Sequence, residues 1–133
     1  MKRYEEIDHT ADWAFRAFGR NLKDLYENAA YAIFELEGAT DAPITVTRQV
    51  RVQGIDYEGL LVNWLNELLF LQETKNETYQ QFKITNLTDT ELEATIQGAA
   101  ALPTKKFIKA VTYHDLKIER TPRGWQATVV VDV

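Results

Sequence analysis

With 133 residues, 45% of them hydrophobic, and no cysteine, the chain has material for one well-packed domain over residues 1–133 but none for a disulfide framework or a thiolate metal site. A net charge of -5 argues against autonomous nucleic-acid binding, because phosphate repels the average surface, although a small basic patch is compatible with it. No stretch is apolar for long enough to span a membrane, and the start "MKRYEEIDHT" turns acidic at once where a signal peptide would be apolar, so a cytoplasmic protein is expected.

The first segment, Tyr4 to Phe18, reads as extended. Ala11, Trp13, Phe15 and Ala17 alternate with Asp12, Ala14 and Arg16, which puts Asp12 and Arg16 on the more polar face of a half-buried strand. Leu22, Leu25, Tyr26, Ala29, Ile33 and Leu36 then recur at helical spacing. Asn21 can cap this helix, and Gly38 can end it in a left-handed conformation, so it is expected from about Leu22 to Glu37. Ile44 to Gln53 alternates again as a strand. A second helix is expected after the N-cap Asp56, with Leu60, Leu61, Trp64, Leu65, Leu68 and Leu71 as its apolar stripe. The remainder is β-rich. "QQFKITNLTD" and "ELEATIQGAA" form a hairpin about Asp89 and Thr90, and Pro103 interrupts a loop. Ile108 to Arg120 then pairs with Trp125 to Val133 around "TPRG". In the first of these, Ile108, Ala110, Thr112, His114, Leu116 and Ile118 are expected to share the core side, opposite Lys109, Val111, Tyr113 and Asp115. The order implies an α+β fold, a largely antiparallel sheet with two main helices packed on it.

Four places carry candidate chemistry. "DHTAD", with Asp8, His9 and Asp12, clusters oxygen and imidazole donors at a strand entry; it suits a hard divalent cation, or simply a turn in which Asp8 and Thr10 bond the backbone. Asp132 lies beside the terminal carboxylate of Val133. Two anions ending an apolar strand either hold a cation or are separated by water. Asp41, past the first helix, can cap a turn or complete a carboxylate set. Lys109 is a surface lysine, or it pairs with an acid or phosphate in a carboxylate-rich site. There is no glycine-rich phosphate loop, no HExxH and no GxSxG, and no nucleophile with an adjacent base.

The segments "DHTADWAFRAFGRNLKDLYENAAYAIFEL", "EGLLVNWLNELLFL", "KAVTYHDLKI" and the ending "VVVDV", in this order and spacing, resemble the archease family. The resemblance implies a small protein cofactor of the GTP-dependent tRNA-splicing RNA ligase, which joins a phosphate-bearing RNA end to a hydroxyl-bearing one. Archeases promote guanylylation of the ligase's active-site histidine, restore it for repeated turnover, and in some systems broaden its nucleoside triphosphate use. RNA is then met only through the ligase. The family's cation site, carried over, is Asp12, Asp132 and Val133, holding Ca²⁺ or else Mg²⁺ or Mn²⁺. Asp41 matches an acidic position after the first helix, and Lys109 lies in "KAVTYH". One departure is plain. Where archeases commonly carry a longer acidic, histidine-containing loop, this chain has the short "QGAAALPTKKF", with two lysines.

Two other functions compete with the cofactor reading. A stand-alone metal-dependent hydrolase would use the carboxylates to hold a cation that activates water, but it lacks a visible general base. A metal-stabilised adaptor or chaperone would do no chemistry at all.

Overall fold

The computed structural model describes residues 2–7, 13–38, 42–100 and 108–133. Among the described residues, two antiparallel sheets are built from seven strands. Strands β1 (Tyr4–Ile7), β2 (Trp13–Gly19), β6 (Ala110–Thr121) and β7 (Gly124–Asp132) form one sheet in the order β1-β2-β7-β6. Strands β3 (Val46–Gln53), β4 (Glu77–Leu87) and β5 (Glu91–Ala100) form the other in the order β3-β5-β4. The expected antiparallel α+β character holds, but the strands divide between two sheets.

Helix α1 spans Leu22–Leu36 and helix α2 spans Tyr57–Lys75. Asn21 Oδ1 accepts the Asp24 N–H at 2.9 Å, and Asp56 Oδ1 accepts the Gly59 N–H at 2.7 Å, so both sequence-read caps close orphan donors at the helix starts. Gly38 follows α1 with φ 87, as its lack of a Cβ permits. Each helix packs against both sheets: α1 against β2 and β4, α2 against β6, β3 and β4. That position explains why α2 is buried beyond the expected stripe. Val62 and Leu69 are buried as well as Leu60, Leu61, Trp64, Leu65 and Leu68, because a helix between two sheets has little free circumference.

The core joins the layers. Trp64 is fully buried and donates its indole N–H to the Tyr26 carbonyl at 3.0 Å. Phe34 stacks on Phe82 and meets Tyr79 edge-on. Side chains also take up backbone groups that the strand ladders leave unpaired. Glu27 accepts the Ile84 N–H at 2.8 Å, and Gln80 bonds both the N–H and the carbonyl of Ala42.

β6 departs from a simple alternation. Thr112 pairs with Val130, but the next partners are Lys117 and Thr128, so β6 spends five residues where β7 spends two. Asp115 within this bulge has φ 53, a left-handed conformation that aspartate tolerates better than most residues. The expected single core face is therefore wrong. Val111 enters the core at 4% exposure and His114 is exposed, because the inserted residues reset the side-chain parity.

Candidate metal and partner site

The end of β7 is built from the register of its neighbours. Trp13 pairs with Val131 on one side, and Ala110 pairs with Asp132 on the other. Ala127, Val129 and Val131 are fully buried, which anchors the strand on one face. Val130 on the opposite face is also buried, at 1%, as is its partner Ala14, so that face is less polar than the alternation suggested. Beyond them the chain opens to water: Asp132 is exposed and Val133 is 51% exposed.

Lys109 is brought to this corner by its backbone. Its N–H donates to the Asp132 carbonyl at 2.8 Å, and its side chain is exposed. The residues on either side are pinned from the helices. Ile108 N–H donates to Glu37 Oε2 at 2.9 Å, while Gln72 Nε2 donates to Glu37 Oε1 at 2.7 Å. Two residues beyond Lys109, the Asn66 side chain accepts the Val111 N–H at 2.8 Å and donates to the Val111 carbonyl at 3.1 Å. Thr112 Oγ1 donates to the Val130 carbonyl at 3.1 Å. The entry of β6 is thus fixed to α1, α2 and β7 within five residues.

Glu37 is fully buried, and burial pushes its carboxyl above the usual carboxylate range; the Ile108 and Gln72 donors partly oppose this. Sequence reading missed both Glu37 and Asn66. Asn66 left a signal, a polar residue inside the leucine-rich run "LVNWLNELLFL". Glu37 left none beyond its place at the helix end.

Of the seven candidate residues, the structure brings Asp132, Val133 and the backbone of Lys109 to one corner; Asp8, His9, Asp12 and Asp41 lie outside the described residues, as does the short loop over 101–107. Among the described residues no group of three or more His, Cys, Asp or Glu side chains could hold a metal ion. The described donor among the expected ligands is the Asp132 carboxylate, with Val133 next to it. Hard, anionic oxygens of this kind fit Ca²⁺, Mg²⁺ or Mn²⁺ in chemical type. Such a group leaves most of a six-oxygen shell to be completed by further ligands or water.

These features define a class: an α+β protein of two sheets bridged by two helices, with an exposed aspartate at the end of its last strand and an exposed lysine bonded to it through the backbone. A sequence profile of the Archease protein family (MTH1598/TM1083) matches residues 4–133. The chain belongs to the archease family. "Protein archease" of Methanosarcina barkeri is 39% identical, covering 99% of this chain and 97% of that protein. The Pyrococcus abyssi protein of the same name is 36% identical over the whole of both chains. The solution structure of protein 1598 from Methanobacterium thermoautotrophicum superposes over 100% of both chains with a TM-score of 0.72 at 32% identity. The crystal structure of an archease from Thermotoga maritima, described as a possible chaperone, matches with a TM-score of 0.70 at 26% identity, covering 96% of this chain and 94% of that one. No helix among the described residues is long and apolar enough to cross a membrane.

Proposed function

We propose that this archease is a protein cofactor, not itself an enzyme, of the GTP-dependent tRNA-splicing RNA ligase, that it acts in the cytoplasm, and that it promotes guanylylation of the ligase's histidine. The observation that carries the reading is the exposed end of β7, where Asp132 and Val133 adjoin the backbone of Lys109, in a member of this family. Exposed carboxylates on a rigid strand end can be presented to another protein's nucleotide site, whereas a hydrolase would need an enclosed site of its own. Asp12, Asp132 and Val133 would hold the divalent cation, Ca²⁺ or else Mg²⁺ or Mn²⁺. When bound, such an ion supplies positive charge that offsets phosphate oxygens. Asp132 and Val133 supply anionic oxygens to the ion. Lys109, whose backbone N–H is held by the Asp132 carbonyl, adds an exposed cationic side chain to the same strand end. Asp41 and His9 are proposed as further residues of the site or of its partner surface.

The adaptor or chaperone reading has one observation in its favour, the description of the Thermotoga maritima relative as a possible chaperone. Asp132→Asn in an untagged chain separates the two. The substitution removes one negative charge from the corner and leaves the buried face of β7 unchanged. As a cofactor, the variant binds Ca²⁺ more weakly by calorimetry and loses stimulation of multiple-turnover ligation, with little change in melting temperature without metal. Equal Ca²⁺ affinity and equal ligation turnover would return Asp132 to a solvated aspartate at the strand end, and no stimulation of ligation by the parent chain itself would leave only the adaptor reading.

A further inference from the structure

At the other end of β7, about 26 Å from Asp132 on the rise of its 9 residues, a half-open cavity of about 720 Å³ lies between the β6–β7 turn and the end of β2. Phe18, Trp125 and Pro122 give it a mostly apolar floor, and Lys2, Arg123 and Gln126 stand around it. Arg120 adds a second guanidinium, 5.6 Å from the centre of the Trp125 ring. The local charge is positive in a protein whose total is -5. Glu119, the neighbouring acid, is taken up by Gln126 at 2.7 Å and by Lys117 at 3.4 Å, and Glu5 is shared by Lys2 and Arg16. Among the described residues no carboxylate pairs with Arg120 or Arg123.

The walls are preformed. Phe18 N–H donates to the Arg3 carbonyl at 2.9 Å, which ties the chain start to the end of β2. In the β6–β7 turn, Arg123 N–H donates to Thr121 Oγ1 at 3.3 Å. Gly124 follows at φ 140, packed so closely on β2 that a Cβ there would stand 2.3 Å from the Gly19 carbonyl oxygen. Arg123 is therefore presented by a turn clamped to its neighbour.

We propose that this cavity binds a nucleoside phosphate unit, free or within single-stranded RNA. Aromatic faces accept a base whatever its identity, and the Arg120 and Arg123 guanidinium groups beside them, with the Lys2 ammonium that also holds Glu5, meet the phosphate. A volume of this size lies within the usual range for small-ligand sites. The site is separate from the Asp132 corner, and the inference stands whether or not the ligase reading does.

The test titrates the untagged full chain with GMP, a single-stranded oligoribonucleotide, guanosine and inorganic phosphate, following backbone amide resonances and tryptophan fluorescence. GMP and the oligoribonucleotide are expected to saturate and to shift Phe18, Arg123, Trp125 and Gln126. Guanosine and phosphate alone bind about tenfold more weakly, since each keeps half of the contacts. Lys2→Ala with Arg123→Ala, both exposed positions, weakens GMP binding about tenfold and leaves the rest of the spectrum in place. Tighter binding of the oligoribonucleotide identifies a polynucleotide ligand, and equal affinity a free nucleotide. Four outcomes overturn the proposal: no saturation at millimolar GMP or oligoribonucleotide, shifts confined to the Asp132 end, unchanged affinity in the double variant, or an acidic peptide binding the cavity as tightly as the oligoribonucleotide.

Discussion

Glu37 and Glu77 are both removed from solvent, at 0% and 6% relative exposure, yet their surroundings are opposite. Glu77, at the start of β4, receives Arg48 Nε and Nη2 at 3.1 and 2.8 Å, one on each oxygen, and the Tyr79 hydroxyl at 2.8 Å. The Arg48 guanidinium, with help from Tyr79, holds the Glu77 carboxyl below its ordinary value, and burial and Glu77 together push the Tyr79 hydroxyl up. Among the described residues Glu37 has only neutral donors, one amide side chain and one backbone N–H. In the β3–β4–β5 sheet a buried charge is neutralised where it stands. Beneath the β6 entry no described cation does so, and Ile108, next to Lys109, rests on a carboxyl whose ionised form burial penalises. The difference teaches that the two sheets are locked by different physics, a bidentate ion pair in one and an acceptor for orphan donors in the other.

The largest break in this comparison is Glu37→Ala. It leaves the Ile108 N–H and the Gln72 amide buried without their acceptor, and Gln72 Oε1 already has no donor among the described residues. Two orphaned polar groups cost about 2–4 kcal/mol of unfolding free energy. Denaturant unfolding measures it, and amide exchange over Ile108 to Val111 is expected to accelerate more than that of β5. A loss well under about 1 kcal/mol would mean that water reaches the latch and that Glu37 does not hold the β6 entry.

A smaller effect is expected from Arg48→Met. The guanidinium is 37% exposed, so water can replace part of what it gives to Glu77, and Tyr79 remains as a donor. The unfolding midpoint should fall by less than in Glu37→Ala, and the fall should leave exchange at Ile108 to Val111 unchanged. Equal losses, or a loosened β6 entry in Arg48→Met, would show that the two carboxylates belong to one cooperative unit.

Much of this architecture is legible in the sequence where the signal is local. Asn21, Asp56 and Gly38 act at the helix ends as their residue types dictate, and the β4–β5 hairpin turns where Asp89 and Thr90 stand. What is not legible depends on contacts between distant segments. The division into two sheets is decided by helices that pack on both. The β6 bulge shifts the parity that put Val111 outside, and nothing in "KAVTYHDLKIER" marks where the inserted residues begin. Of the site, the exposed chain end and Lys109 follow from strand alternation and order. Asn66 and Glu37 act across 45 and 71 residues of chain, and no spacing rule reaches that far.

The smallest and most discriminating test is the pH dependence of stability in Glu37→Gln and Glu77→Gln beside the parent chain. The signs are opposite. Glu37 has a folded-state carboxyl raised above the ordinary value of 4.5, so its contribution is fully present below that value and is lost as pH rises through the folded one. Glu77 is lowered from 4.5, so its contribution is present above that value and is lost as pH falls through the folded one. The advantage of the parent over Glu37→Gln should therefore grow as pH falls from neutrality toward the ordinary carboxylate range. The advantage over Glu77→Gln should hold constant across that window and shrink only at still lower pH. The amide in Glu37→Gln keeps an oxygen for the Ile108 N–H, so its mean loss is smaller than that of Glu37→Ala and the slope becomes the informative quantity. Urea unfolding of the three proteins at intervals from about pH 3 to about pH 7 reads both slopes. Parallel profiles would remove the distinction between the carboxyl neutralised by Arg48 and the one that is not, because both would then titrate as if equally solvated.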